Sequence, residues 1–208
     1  MEPLNDITAT IALTMGAAWA SGINLYAAIA TLGLLSVTGN LTLPPDLQAL
    51  ANPLVIGAAC LMFAVEFVAD KIPGIDTGWD TIHTFIRIPA GALLAAGAVG
   101  DVNPAVSLAA AIVGGTLAAG THGMKAGARL LINTSPEPVT NWTASILEDI
   151  TVIGGIWVAV NHPGLFLTLL ALFILLMIWL LPKLWRGILM LVNRIRRIFS
   201  RPQAPPPV

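Results

Sequence analysis

The sequence predicts an all-α polytopic membrane protein with about six transmembrane helices, arranged as two inverted three-helix repeats with broken or re-entrant first helices. Three observations predict it. Only 10% of the 208 residues are charged and 56% are hydrophobic, whereas an ordinary soluble domain is roughly 25% charged. Apolar runs of about 20 residues, enough to cross ~30 Å of hydrocarbon, recur along the chain, and the mean hydropathy is +0.83. The first, third and fifth connections between these runs also contain no Lys or Arg. The composition excludes a soluble enzyme, a nucleic-acid binder and a disordered scaffold. A net charge of −1 provides no field to attract polyanions.

The spans follow in order at 8–36, 50–69, 78–99, 104–132, 142–160 and 164–181, each ended by turn residues or charge. The first begins after Met1-Glu2-Pro3-Leu4-Asn5-Asp6, an acidic start without the basic n-region of a signal peptide, so its retention is expected. It is longer than a bilayer requires and contains Ser21, Gly22, Asn24 and Tyr26, so it must tilt, protrude or break. The second holds the single Cys60, which cannot form an internal disulfide, and ends in Glu66 and Asp70. The third carries Asp80, His83 and Arg87, with Pro89 inviting a kink. The fourth is again overlong and carries His122, Lys125 and Arg129; the fifth has Glu148 and Asp149 near its head, a favourable place for acids without any function. Residues 1–181 thus form one bundle with halves at about 1–100 and 101–181. A basic amphipathic interfacial helix at 182–200 and a disordered Pro-rich tail at 201–208 follow.

Orientation comes from the cations. Lys71, Arg87, Lys125, Arg129 and the six basic residues from Lys183 to Arg201 all map to one side, which places both termini in the cytoplasm. The inverted-repeat expectation rests on Ala20-Ser21-Gly22-Ile23-Asn24 in the first span and Ala118-Ala119-Gly120-Thr121-His122 in the fourth, polar breaks of the kind that line midplane sites.

Ionisable groups inside a membrane are costly and are candidates for function. Glu66 and Asp70 share a helix face, and Asp80, His83 and Arg87 follow at steps of three and four. Arg87 cannot neutralise itself, so it requires a carboxylate: Asp80 on its own stripe, or Glu66 or Asp70 across the interface. His122, Lys125 and Arg129 form a second, cationic stripe. Two readings stay open for these charges. In one they are structural ties, Asp80–Arg87 and Glu66/Asp70–Lys71 among them, with Lys125 and Arg129 snorkelling. In the other, Asn24, Glu66, Asp70, Asp80, His83, Arg87, His122, Lys125 and Arg129 line a pathway, and the histidines relay protons. A weaker alternative has Asp76, Asp80 and His83 holding a divalent metal; no cofactor is otherwise required.

The segments Ala20–Tyr26, Trp79–Ala92, Thr121–Ala126 and Asn133-Thr134-Ser135-Pro136-Glu137-Pro138 resemble the bacterial membrane family labelled domain of unknown function (DUF) 4126, over roughly 10–160. The resemblance implies a small multi-span protein of the bacterial inner membrane and carries no activity with it. The sequence is therefore expected to support transport or permeation of an ion or small polar solute through an intramembrane polar cavity rather than an enzymatic reaction. A membrane enzyme or binding protein acting on a lipid head group, or a purely structural protein, is the alternative. Expected partners are the bilayer, anionic lipids at the basic C-terminal segment, and further copies of the chain through its small-residue faces.

Overall fold

The computed structural model describes residues 2–72, 74–100, 102–134 and 138–199, and only the backbone of 2–5, 138 and 195–199. These residues form α1 (Glu2–Val37), a short 3-10 helix (Pro45–Ala51), α2 (Pro53–Ala69), α3 (Ile75–Ala98), α4 (Pro104–Ile132), α5 (Pro138–Asn161) and α6 (Pro163–Phe199), with no strand among them. Proline opens α2, α4, α5 and α6, where its missing N–H costs nothing because the first turn has no acceptor for it. Asn52 and Asn103 cap α2 and α4 by accepting from Leu54 N and Ala105 N at 2.9 and 2.8 Å.

The protein is an all-helical, multi-pass membrane protein. By length and composition α1, α4, α5 and α6 can each cross a bilayer, and α2 makes a fifth when joined to the 3-10 helix, from which it is bent by 66°. The expected count of six is not reached on this measure. α2 alone has 17 residues, and α3 carries the Asp80, His83, Arg87 stripe, which offsets its apolar residues.

α1 does not run straight. Asn24 has φ −145° and ψ 99° and interrupts the helix. In a straight helix Thr10 and Thr38 would be about 42 Å apart at 1.5 Å per residue. Instead Ala9, Thr10 and Leu13 share one small cavity of about 180 Å³ with Leu41, Thr42 and Pro44, beside Ala98 and Ala159. After the break, Ala27, Thr31, Leu34 and Thr38 run along Cys60, Phe63 and Ile153, back towards the end of the bundle where α1 began. α1 is therefore a re-entrant hairpin with Asn24 at its apex, packed against all five other helices.

This geometry bears on the expected layout. The first helix of the chain is broken at Asn24, whereas α4 continues unbroken through Thr121–Lys125. The start of α1 lies at the end of the bundle where α3 and α5 finish, and α6 runs beside α4 towards the other end. The chain also does not change element at Pro182. α6 continues because α4 offers it glycines on both sides of that residue, Leu181 sitting against Gly123 and Leu184 against Gly127. The expected Pro-rich tail at 201–208 lies outside the described residues.

Close approach of the helices brings the polar stripes together. A Cβ on Gly22 would sit 1.8 Å from Thr121 Oγ1 and 2.5 Å from the Ala118 carbonyl, and one on Gly114 would sit 2.3 Å from Ala95 Cβ. Without side chains at these crossings, α1, α3 and α4 touch backbone to backbone.

Candidate functional site

The inner half of the bundle holds a buried charge cluster contributed by α2, α3, α4 and α5. Glu66, Asp70, Asp80, Arg87, His122, Lys125 and Arg129 are all buried, at no more than 5% exposure. The guanidinium of Arg87 donates to Asp80 Oδ1 at 3.0 Å and, from its other nitrogen, to Glu66 Oε1. It is thus held by two of the three carboxylates the sequence offered, Asp80 along its helix and Glu66 across the interface. Lys125 lies in the middle, with Nζ 2.8 Å from Asp70, 3.2 Å from Glu66, 3.5 Å from Glu148 and 3.7 Å from Asp80. It does not snorkel. Its stem carries it inward because four carboxylates surround it there.

Arg129 closes the lower side. It grips Glu148 with two nitrogens, at 2.7 and 3.2 Å, and donates to the Asp70 backbone carbonyl at 3.0 Å, one of the carbonyls the end of α2 leaves unpaired. It also donates to Asn141 Oδ1. Asn141 in turn donates to Asp76 at 3.2 Å, and Asn133 donates to both Asp76 oxygens at 2.8 Å. Asp76 therefore serves the start of α3 and its amide neighbours, Asp80 serves Arg87 and Lys125, and His83 faces elsewhere. The three do not converge as a ligand set, and among the described residues no group of three or more metal-binding side chains is close enough to hold a metal.

The two membrane histidines differ in what they can do. His122 Nδ1 lies 3.2 Å from Arg87 Nη1, which can only donate, so Nδ1 accepts. Its Nε2 lies 3.1 Å from the Asp80 carbonyl, which can only accept, so Nε2 carries the hydrogen. A second proton on His122 would face the guanidinium. His122 therefore orients Arg87 by accepting its N–H. His83 is stacked on Trp79 with ring centroids 4.4 Å apart, donates from Nδ1 to the Trp79 carbonyl at 2.8 Å, and meets Tyr26 Oη through Nε2 at 3.0 Å. That hydroxyl can donate or accept, so His83 keeps a choice that His122 lacks.

Lys71 takes no part in the expected tie with Glu66 or Asp70. It follows the end of α2, bonds the Phe67 carbonyl at 2.9 Å and lies over the Phe67 ring. Partial burial lowers its pKa, with Asp149 and Asp70 acting the other way.

Asn24 reaches the site through a partner the sequence reading left out. Its side-chain oxygen accepts from Ala27 N at 2.9 Å, capping the returning half of α1, and its amide donates to Asp149 Oδ1 at 2.9 Å. Glu148, Asp149, Asn133 and Asn141 were all missed as site residues. The signal was present: Asn141, Ser145 and Glu148 or Asp149 follow steps of four, three and four, the same helical stripe that marked α3. Acids near a helix N-terminus have an ordinary explanation, and that explanation hid them.

The cluster is not fully satisfied. One oxygen each of Glu66, Asp70, Asp80 and Asp149, and Arg87 Nε, are buried without a hydrogen-bond partner. Across the whole inner region six carboxylates, Glu66, Asp70, Asp76, Asp80, Glu148 and Asp149, face three fully engaged cations, Arg87, Lys125 and Arg129.

Comparison of the sequence with curated proteins and with solved structures returns no match. The family model described as Domain of unknown function (DUF4126) matches residues 11–183, which extends the resemblance beyond residue 160 into α6, and the chain belongs to this family.

Proposed function

We propose that this protein moves an ion or small polar solute across the bacterial inner membrane, through the region between the α1 apex and the buried charge cluster. One observation carries the reading: a re-entrant hairpin whose non-helical apex, Asn24, lies against buried charge with an excess of acid. Non-helical backbone at membrane depth persists only where protein buries it or where it lines a pathway, and broken helices of this kind recur at transporter sites. An excess of buried carboxylate attracts positive charge, because an uncompensated carboxylate in a low dielectric is expensive. Asn24, Glu66, Asp70, Asp80 and Lys125 line the pathway. Arg87, with His122 behind it, holds the carboxylates in place, and Arg129 locks the inner end through Glu148. The charged end faces the cytoplasm, in keeping with the basic residues of α6, where Lys183 and Arg186 meet anionic lipid. Copies of the chain associate through their apolar faces.

Reconstitution tests this. Purified protein in liposomes should pass K⁺, Na⁺ or protons above the rate of protein-free liposomes, and a folded Arg87→Lys protein should not. No flux from well-folded wild-type protein, for any of these or for small polar solutes, overturns the proposal.

A second reading has one observation in its favour. A cavity of about 410 Å³ lies between α3, α4 and α6, with Thr77, Asp80, Thr81 and Thr84 on one side and Leu181, Leu184, Trp185 and Ile188 on the other. Its polar floor and apolar wall match a lipid with its head group at Asp80. Lipid retained through purification by wild-type protein and lost from Trp185→Ala, together with absent flux, would favour this reading.

A further inference from the structure

We propose that Asp149 is the exchangeable proton site of this pathway, an inference that rests on the transport reading above. Asp149 is 7% exposed, and among the described residues it forms no ion pair, unlike Glu66, Asp70, Asp80 and Glu148, each of which meets at least one cation. One of its oxygens accepts from Asn24 at the α1 apex; the other is buried without a partner. A carboxyl group in this position is most economically neutralised by a proton of its own.

The groups that face it are consistent with that role. Asn24 approaches from α1, Lys125 from α4, Glu66 and Asp70 from α2, Lys71 from the connection after α2, and Glu148 adjoins it on α5. Lys125 is already shared among four carboxylates and Lys71 is turned onto Phe67, so neither is free to compensate Asp149. Glu66 and Asp70 add further negative charge beside it. The step is a simple acid dissociation: the O–H bond of the protonated carboxyl breaks, the proton leaves, and the carboxylate keeps its hydrogen bond from the Asn24 amide. Because that amide belongs to the residue that breaks α1, the charge on Asp149 and the seating of the hairpin apex are linked. Ionisation strengthens the Asn24 bond and holds the apex in place; protonation weakens it.

Two measurements test this on the full-length protein. In the first, liposomes loaded with a pH-sensitive dye are given a K⁺ diffusion potential with valinomycin. Wild-type protein should admit protons, Asp149→Asn should fall to the level of protein-free liposomes, and Asp149→Glu should retain the flux. Undiminished proton flux through folded Asp149→Asn overturns the inference and leaves the transport reading standing. In the second, infrared spectroscopy of the wild-type protein in detergent should show a carboxylic-acid C=O band that titrates with pH, disappears in Asp149→Asn and is displaced in Asp149→Glu. If Asp149→Asn does not fold, the displaced band of Asp149→Glu makes the assignment. A band unmoved by either change overturns the inference. Absence of any wild-type flux overturns the transport reading, and the infrared result then decides the protonation of Asp149 independently.

Discussion

Replacing Arg87 with Met removes a guanidinium and leaves a side chain of comparable length in its place. In the folded protein Arg87 is the shared partner of Glu66 and Asp80, and none of the three is open to solvent. Removing one member of a buried pair typically costs about 3–5 kcal/mol, chiefly because the surviving charge has nowhere to go. Here Lys125 stays within 3.2 Å of Glu66 and 3.7 Å of Asp80 and absorbs part of the loss. The cost should therefore lie near the lower end, about 3 kcal/mol, or a fall in melting temperature of roughly 6–12 °C for a chain of this size. Tryptophan fluorescence followed on heating in detergent reads it directly. The double change Glu66→Gln with Arg87→Met should recover more than half the loss, since only Asp80 is left short and Lys125 remains beside it. Arg87→Lys should recover less, because an ammonium cannot span two carboxylates as the planar fork does. An Arg87→Met protein melting within about 2 °C of wild type, or a double variant less stable than the single one, would show that the guanidinium does not hold these carboxylates.

Four further outcomes are expected. Lys125→Met should destabilise by about 3–5 kcal/mol, while Lys71→Met should stay within about 0.5 kcal/mol. Lys71's lowered pKa means that its charge costs stability at neutral pH and that the cost fades as pH rises from the lowered pKa to the ordinary lysine value; equal losses in the two variants would contradict the cluster. Gly22→Ala should cost about 1–3 kcal/mol through overpacking, and adding Thr121→Ala should restore only part of it, because the Ala118 carbonyl still blocks the new methyl group; full stability of the single variant would place α1 farther from α4. Asn133→Ala, which removes two donors from buried Asp76, should cost about 1–3 kcal/mol by chemical or thermal unfolding, and a neutral result would show that Asp76 is satisfied without it. In a Cys60→Ser background, cysteines introduced at Thr10 and Asn40 should react with a membrane-impermeant reagent from one side and a cysteine at Ile75 from the other. Labelling of positions 10 and 40 from opposite sides would refute the re-entrant hairpin.

The charged stripes were legible because a helix repeats every 3.6 residues and ionisable side chains are rare in apolar helices. Asp80, His83 and Arg87 on α3, and His122, Lys125 and Arg129 on α4, could be read by spacing alone, and all six are buried. Their pairing across helices was legible in part. Glu66 was open to Arg87 across the interface and is its partner, but the sequence also placed Lys71 beside Glu66 and Asp70, where Lys125 sits instead, brought in by helix crossings that depend on the absence of side chains at Gly22 and Gly114. The broken first helix was legible as a length too great for one crossing and as the polar stretch Ser21, Gly22 and Asn24 within it. Nothing between Glu2 and Val37 forces a break except Asn24, and the break is held by Asp149, 125 residues away.

The charge cluster also constrains how the protein can be made. A ribosome releases α2 and α3 first. At that stage Arg87 can be matched by Glu66 and Asp80, but Asp70 and Asp76 have no cation or amide to meet. Lys125, Arg129, Asn133 and Asn141, which complete them, arrive only with α4 and the start of α5. The early helices therefore cannot settle stably in lipid by themselves, since each unmatched carboxylate weighs against insertion. They must wait at the translocon, or beside a chaperone, until about 40 more residues, from Ala98 to Asn141, have been synthesised, and the membrane integrates the segment from Glu66 to Asn141 as one unit or not at all.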